Sequence, residues 1–310
     1  MKKVFDFLLF LRPLNLMMVF AIFWAFEYFI FEPIFASQGF GLGLKSFQLD
    51  LLALNTVLVA VIGYLINDWY DQPIDKLNKP NRFLIKYSVS SLQFFTILGL
   101  LIMLVLFLAA FLAWSLKMFH WLWIYPFFTF IMWYYAANLK LRGLIGNIVI
   151  SFSIAVIPAL ILYAEYSSYI LLKTLNEQAA SQLITHLAIL SVLIFLSNMA
   201  RELVKDVEDA NGDKAHNSSS FFLRYGLKKT KQVVLTAVLA VLVLEMTILI
   251  YSTWVTQEFI YAGCTVLFGS VLLAIKAMKS SEKKHFSKLS LGLKLLMLIG
   301  LVQVLFLNPR

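Results

Sequence analysis

Cysteine is nearly absent from this chain. Cys264 is alone among 310 residues, so no intrachain disulfide can form. There is no Cys-x-x-Cys, and His120, His186, His216 and His285 are scattered without ligand spacing, which argues against a zinc or haem site. Charge is scarce as well. Only 14% of residues are Asp, Glu, Lys or Arg and 61% are hydrophobic, whereas soluble domains carry about 25% charged residues. Uncharged apolar runs long enough to cross a bilayer recur along the whole length, which excludes an ordinary soluble domain and implies a polytopic membrane protein. A cleavable signal is missing too: Asp6 and Arg12-Pro13 interrupt the first apolar run and no small-x-small site follows, so the first span is read as uncleaved.

What is present is a ladder of apolar runs near residues 14–31, 50–67, 89–113, 119–138, 144–163, 183–200, 232–252, 259–276 and 289–307. This ladder predicts an all-α bundle of nine transmembrane helices in one domain, 1–310. With nine spans, only Lys45, Lys117, Lys173 and Arg310 of the 26 basic residues fall opposite the N-terminus, leaving 22 on its side. That asymmetry predicts a cytoplasmic N-terminus in an inner (plasma) membrane. The net charge of +9 then follows from topology and attraction to anionic lipid, with no place for nucleic acid and no sign of an obligate protein partner.

Acids are the scarcest charges, and they are not spread evenly. Six of the eight aspartates form two clusters of one spacing, Asp68, Asp71, Asp75 and Asp206, Asp209, Asp213. On a helix the offsets 0, 3 and 7 keep three carboxylates within roughly 60° of one face, so each cluster can converge on one charged object. Such carboxylates repel unless a cation lies between them, which points to two oxygen-rich sites for Mg²⁺, a hard ion that completes its shell with water and phosphate oxygens. A diphosphate is the natural partner. Asn67 precedes the first cluster and shares the four-residue spacing of Asp71 and Asp75. Glu202 lies near the face of Asp206, whereas Glu208 is expected to project away into solvent.

The clusters follow the second and sixth expected spans, and each member of the second lies 138 residues after its counterpart (206 − 68, 209 − 71, 213 − 75). Segments 67–82 and 201–213 thus hint at duplication of a four-helix unit, since an even number of spans preserves orientation. Polar, basic stretches follow both clusters and can close over a phosphate group. The other intramembrane acids, Glu27 and Glu245, fall toward the outer half and read either as polar helix contacts or as functional groups.

The string Asn67-Asp68-Trp69-Tyr70-Asp71-Gln72-Pro73-Ile74-Asp75, with Arg82 downstream, resembles the first signature of the UbiA-type intramembrane prenyltransferases, N-D-x-x-D-x-x-x-D. Lys205-Asp206-Val207-Glu208-Asp209-Ala210-Asn211-Gly212-Asp213 resembles the second, K-D-x-x-D-x-x-G-D. Arg12-Pro13-Leu14-Asn15, Tyr135 to Lys140, and Gly146-Asn147 resemble weaker family elements, so the likeness runs from residue 12 to about residue 225. One departure stands out: Phe83 follows Arg82 where the family usually has proline, which leaves that loop's backbone less constrained.

The resemblance implies a nine-helix bundle with a central cavity and a cytoplasmic cap. Two aspartate motifs would bind a polyprenyl diphosphate through Mg²⁺. It implies Asn67, Asp68, Asp71, Asp75, Asp206, Asp209 and Asp213 as metal and diphosphate ligands, and Lys140, Arg82 and Lys205 as the cations that neutralise departing pyrophosphate. Arg12, Asn15, Asn147, Tyr135 and Arg201 are the expected substrate contacts. Ionisation of an allylic diphosphate leaves a carbocation that must be kept from water until a lipophilic acceptor attacks it. Trp69, Tyr70, Tyr134 and Tyr135 lie where a ring face could stabilise it, interface anchoring being the alternative.

The Arg201 to Asp209 run looks most like the branch acting on geranylgeranylglyceryl phosphate, with quinone or haem precursors as the alternative acceptors. A phosphorylated acceptor needs spare cations, and Arg142, Arg201, Lys214 and Arg224 are available. A cation-coupled transporter would hold its acids nearer the midplane on broken helices. A CDP-alcohol phosphotransferase would carry a contiguous D-x-x-D-G motif, and Gln72 stands where its glycine would be.

Overall fold

A computed structural model of the chain describes residues 12–72, 90–140, 142–215 and 219–308. With the exception of one isolated bridge between Val255 and Leu307, regular structure among these residues is helical. An apolar environment leaves each backbone polar group to find its partner inside its own segment, and a helix does this without help from neighbours. In chain order the helices are α1 (Pro13–Ser37), α2 (Ser46–Tyr70), α3 (Ser91–Leu116), α4 (Trp121–Tyr134), α5 (Leu144–Ala164), α6 (Tyr166–Leu175), α7 (Glu177–Ala215), α8 (Phe221–Tyr251), α9 (Gln257–Lys279) and α10 (Lys283–Val304).

Eight of them, all but α4 and α6, are long and apolar enough to cross a membrane. The expected count of nine is therefore corrected to eight among the described residues. The difference lies in the run 119–138. Its α-helical part has only 14 residues, holds Pro126 in its interior and gives way to a π turn at Tyr135–Leu139. Hydropathy registers the apolar composition of such a run and is blind to the change of helix type within it. The chain is an integral membrane protein, and its exposed large apolar side chains, Phe107, Trp114, Phe119 and Trp123 among them, are suited to lipid contact.

The helices fall into two compact units. The first comprises 1–20, 46–146 and 209–223. Within it α2, α3 and α4 pack against one another. Polar pins fix their register at several heights. Gln48 donates to the Ser115 carbonyl at 3.2 Å, Asn55 to the Val105 carbonyl at 3.3 Å, and the Tyr125 hydroxyl to the Leu52 carbonyl at 2.9 Å. Higher on α2, Trp69 stacks on Phe94 at 4.6 Å. Ser90 and Gln93 close a capping box at the start of α3, each side chain accepting the other's backbone N–H.

The second unit comprises 21–45, 147–208 and 224–310. In it α9 packs against α10, and the buried Glu245 of α8 accepts from Gln303 of α10 at 2.5 Å. The Glu245 reading as a polar helix contact therefore has its partner. Gly263 makes this possible, since a Cβ there would stand 2.8 Å from the Glu245 Oε1 and 2.9 Å from the Gln303 Nε2. Gly263→Ala is expected to lower the apparent Tm of the purified protein by several degrees, the size of a ~1–3 kcal/mol overpacking cost. An unchanged melting curve would show that the Glu245–Gln303 bond yields without loss.

Candidate active site

Helix α2 ends at Tyr70, and Asp71 occupies the turn that follows, its N–H bonded to the Asn67 carbonyl at 2.9 Å. That is the i to i−4 bond of an α-helix, so Asp68 and Asp71 keep the helical spacing expected of them. Asp75 and Arg82 lie outside the described residues. Asn67, Asp68 and Asp71 are all buried.

Two neighbours of this turn have opposite fates. Asp71 accepts from the Asn67 amide at 2.7 Å and forms an ion pair with Lys140, which follows the π turn at the end of α4. Asp68 faces elsewhere and pairs with Arg12 at 3.2 Å. The Arg12 guanidinium also lies over the Tyr64 ring, 4.6 Å from its centroid, and the Tyr64 hydroxyl accepts from Asn15 at 3.2 Å. Tyr64 was missed in the sequence reading. Its signal was its position four residues before Asp68, on the same helix face.

Lys140 feels the charge of Asp71 from the first cluster and of Asp209 and Asp213 from the second, all within the first unit. Burial works against its charge, yet Asp71 first, and then Asp213 and Asp209, hold its ammonium above the ordinary lysine value. It stays protonated through the physiological range and beyond, so it acts as a fixed cation and not as a proton donor. Two glycines shape the chain just past it. Gly143 adopts φ +66°, and a Cβ on Gly146 would stand 2.7 Å from the Leu139 carbonyl oxygen.

In the second unit, the other end of the second motif is anchored between α5 and α7. Asn147 donates to Asp206 at 2.9 Å, and Asn198 to the Ser151 hydroxyl at 3.1 Å, so two polar rungs join the helices. Asn198, Glu202 and Asp206 share a four-residue spacing, which is the signal that would have singled out Asn198. Arg201 and Lys205 both turn to Glu202, at 2.6 Å and 3.8 Å. Glu208 is half-buried, where its spacing predicted a solvated side chain. Of the rim aromatics, Trp69 is committed to Phe94 and Phe95, and Tyr134 lies parallel to Phe130. Tyr135 opens the π turn that leads to Lys140.

Among the described residues no three carboxylate, imidazole or thiol groups approach closely enough to enclose a metal ion. The oxygen donors of Asn67, Asp71, Asp209 and Asp213 fit a hard cation that takes one or two carboxylates and draws its remaining ligands from water and phosphate. They do not fit a metal that needs a closed protein cage.

The sequence profile of the UbiA prenyltransferase family matches residues 33–298. The chain is 29% identical over 265 residues to the digeranylgeranylglyceryl phosphate synthase of Korarchaeum cryptofilum, covering 84% of this chain and 86% of that protein. It is 30% identical to the enzyme of the same name from Methanospirillum hungatei over 73% of each chain. In fold, it is similar to a solved structure concerned with digeranylgeranylglyceryl phosphate synthase in membranes (TM-score 0.63, 22% identity, 98% of each chain). It is also similar to a UbiA homologue from Archaeoglobus fulgidus bound to GPP and Mg²⁺ (TM-score 0.58, 13% identity, 96% of this chain and 99% of that one). The two aspartate signatures, the lysine between them and the match along most of the chain agree: this protein is a prenyltransferase and belongs to the UbiA family.

Proposed function

We propose that this chain transfers a polyprenyl group from an isoprenoid diphosphate to geranylgeranylglyceryl phosphate and releases pyrophosphate. The observation that carries this reading is the gathering of Asp71, Asp209 and Asp213 about Lys140. Alone, that group would be three anions around one cation, a poor site for an anionic substrate. With Mg²⁺ bound at the carboxylates, the excess negative charge is offset and the diphosphate oxygens gain a ligand.

The residues divide the remaining work. Asn67 orients Asp71 through its amide, and Lys140 supplies a permanent positive charge where negative charge grows on the departing pyrophosphate. Asn147 fixes the rotamer of Asp206. Asp68 serves as an anchor for Arg12, and the guanidinium held over Tyr64 is placed to meet a phosphate oxygen. Asp75 and Arg82 complete the first motif in this reading. The end of α2 that bears Asn67 and Asp68 is cytoplasmic, in keeping with Lys76, Lys79, Arg82 and Lys86 in the segment that follows it. The whole chain acts as one integral membrane domain, and a duplication relating segments 67–82 and 201–213 requires the run 119–138 to cross as well, since α3, α5 and α7 alone are an odd number of spans.

The names borne by the relatives from Korarchaeum and Methanospirillum support the phosphorylated acceptor. The test is to incubate membranes carrying the protein with labelled geranylgeranyl or farnesyl diphosphate and a panel of acceptors, then to weigh the lipid product. Digeranylgeranylglyceryl phosphate is the expected product. A prenylated aromatic in its place would reassign the acceptor, and transport on a Na⁺ or H⁺ gradient without pyrophosphate release would remove the enzyme reading.

A further inference from the structure

Glu27 lies in the second unit, in a π turn (Glu27–Phe31) that interrupts the α-helix of α1. It is 1% exposed, and no N–H or hydroxyl donor reaches its carboxylate oxygens, the one group within hydrogen-bonding reach being the Glu165 carboxyl. The charged groups acting on it are both acids, first Glu165 and then Glu32 of its own helix. Glu165, at the junction of α5 and α6, is equally buried but well served. Its Oε2 accepts the Gly43 N–H at 2.9 Å and its Oε1 the Leu44 N–H at 2.7 Å. Two successive backbone N–H groups make an anion-holding nest. Gly43 is what lets them approach, since a Cβ there would stand 2.9 Å from the Glu165 Oε2 and 2.6 Å from the Ser168 hydroxyl.

A nest-held carboxylate beside a second carboxyl that no donor serves, away from water, is an arrangement that repels itself unless positive charge enters it. We propose that Glu27 and Glu165 form a closed site for one small monovalent cation, either a proton or an alkali-metal ion, shared between the two carboxyls. In a closed site Mg²⁺ is the poorer fit, because it gives up its water shell reluctantly. No third acidic, imidazole or thiol group among the described residues joins the pair. The nest keeps Glu165 in place as the fixed anion, and the Glu27 carboxyl is the variable part. A π turn is a frequent means of presenting a side chain at a functional site, here by displacing Glu27 from regular α-helical register. The occupant ties the segment between α1 and α2, through Gly43 and Leu44, to the junction of α5 and α6.

The test reads stability, so its outcome is independent of the acceptor and of the aspartate clusters. The apparent Tm of the purified full chain in nanodiscs is measured from mildly acidic to mildly alkaline pH in choline chloride, and again with LiCl, NaCl or KCl. The wild type is expected to lose about 3 °C or more as the pH rises in choline. Recovery on adding one alkali salt identifies a metal ion, and no recovery identifies the proton. Glu27→Gln, which removes the second charge at constant volume, is expected to abolish the fall. Glu165→Gln lowers the starting Tm, because the nest loses its anion, but it too should flatten the pH profile. A wild-type profile indifferent to both pH and salt overturns the proposal, as does a Glu27→Gln or Glu165→Gln profile that tracks the wild type.

Discussion

Asp71→Asn and Asp209→Asn are each expected to lower the prenyl-transfer rate by a factor of ~10² to 10³, the equivalent of ~3 to 4 kcal/mol of transition-state stabilisation. Asparagine keeps the volume of each side chain and removes one anionic ligand. At Asp71 it also removes the partner of Lys140 and leaves the Asn67 amide facing a group that no longer carries charge. Because both acids act on one lysine, the losses should not multiply. The double variant is expected to fall little below the worse single one, as happens when groups act as a unit. Glu258→Gln, on the exposed start of α9, is the control and should stay within a few-fold of wild type. Independent multiplication of the two losses, measured as kcat/KM under single-turnover conditions, would mean that the two clusters serve different groups.

Removal of divalent metal is expected to abolish turnover altogether, and Mg²⁺ or Mn²⁺ should restore it. Lys140 alone cannot offset Asp71, Asp209 and Asp213, so in EDTA the site repels the diphosphate it must hold. The loss should appear in diphosphate binding as well as in rate, and labelled geranylgeranyl diphosphate measured by equilibrium binding separates the two. Ca²⁺ is expected to restore binding better than turnover, since its looser and larger shell accepts the same oxygens without the same geometry. Full activity in excess chelator would remove the ionisation mechanism derived above.

Much of this arrangement was legible before any coordinates. The membrane class followed from apolar run length, and the clusters stood out because aspartate is otherwise so rare. Lys140 was singled out by resemblance, and the structure pairs it with Asp71. Less was legible where local structure departs from the regular helix. Hydropathy counted the run at 119–138 as a span because it registers composition, not the π turn at Tyr135–Leu139 that ends it. The spacing of Asp68 and Asp71 placed them side by side on one helix. Their partners lie far off in the chain, however, and the two carboxylates part, one to Arg12 and one to Lys140. Pairings such as Asn147 with Asp206 join positions 59 residues apart, and no local pattern announces a contact of that separation. Glu208 shows the converse error: its place on the helix was read correctly, but half-burial depends on neighbours that spacing does not reveal.

Helix α7 runs unbroken for 39 residues, from Glu177 to Ala215, and carries the second cluster near its end. At 1.5 Å per residue this is a rod on the order of 58 Å long, roughly twice the hydrocarbon thickness of a bilayer. Within the second unit, Asn198 and Asp206 lie on this one helix, eight residues apart. The direction in which Asp206 points is therefore set by the rung that Asn198 makes with Ser151 two turns before it. Deleting one residue between Asn198 and Asp206 would turn every acid beyond it by about 100° while leaving composition, charge and hydropathy almost untouched. Such a protein is expected to insert normally and to lose the Asn147–Asp206 bond for reasons of phase alone, which makes the spacing from Asn198 to Asp206 as much a part of the candidate site as its carboxylates.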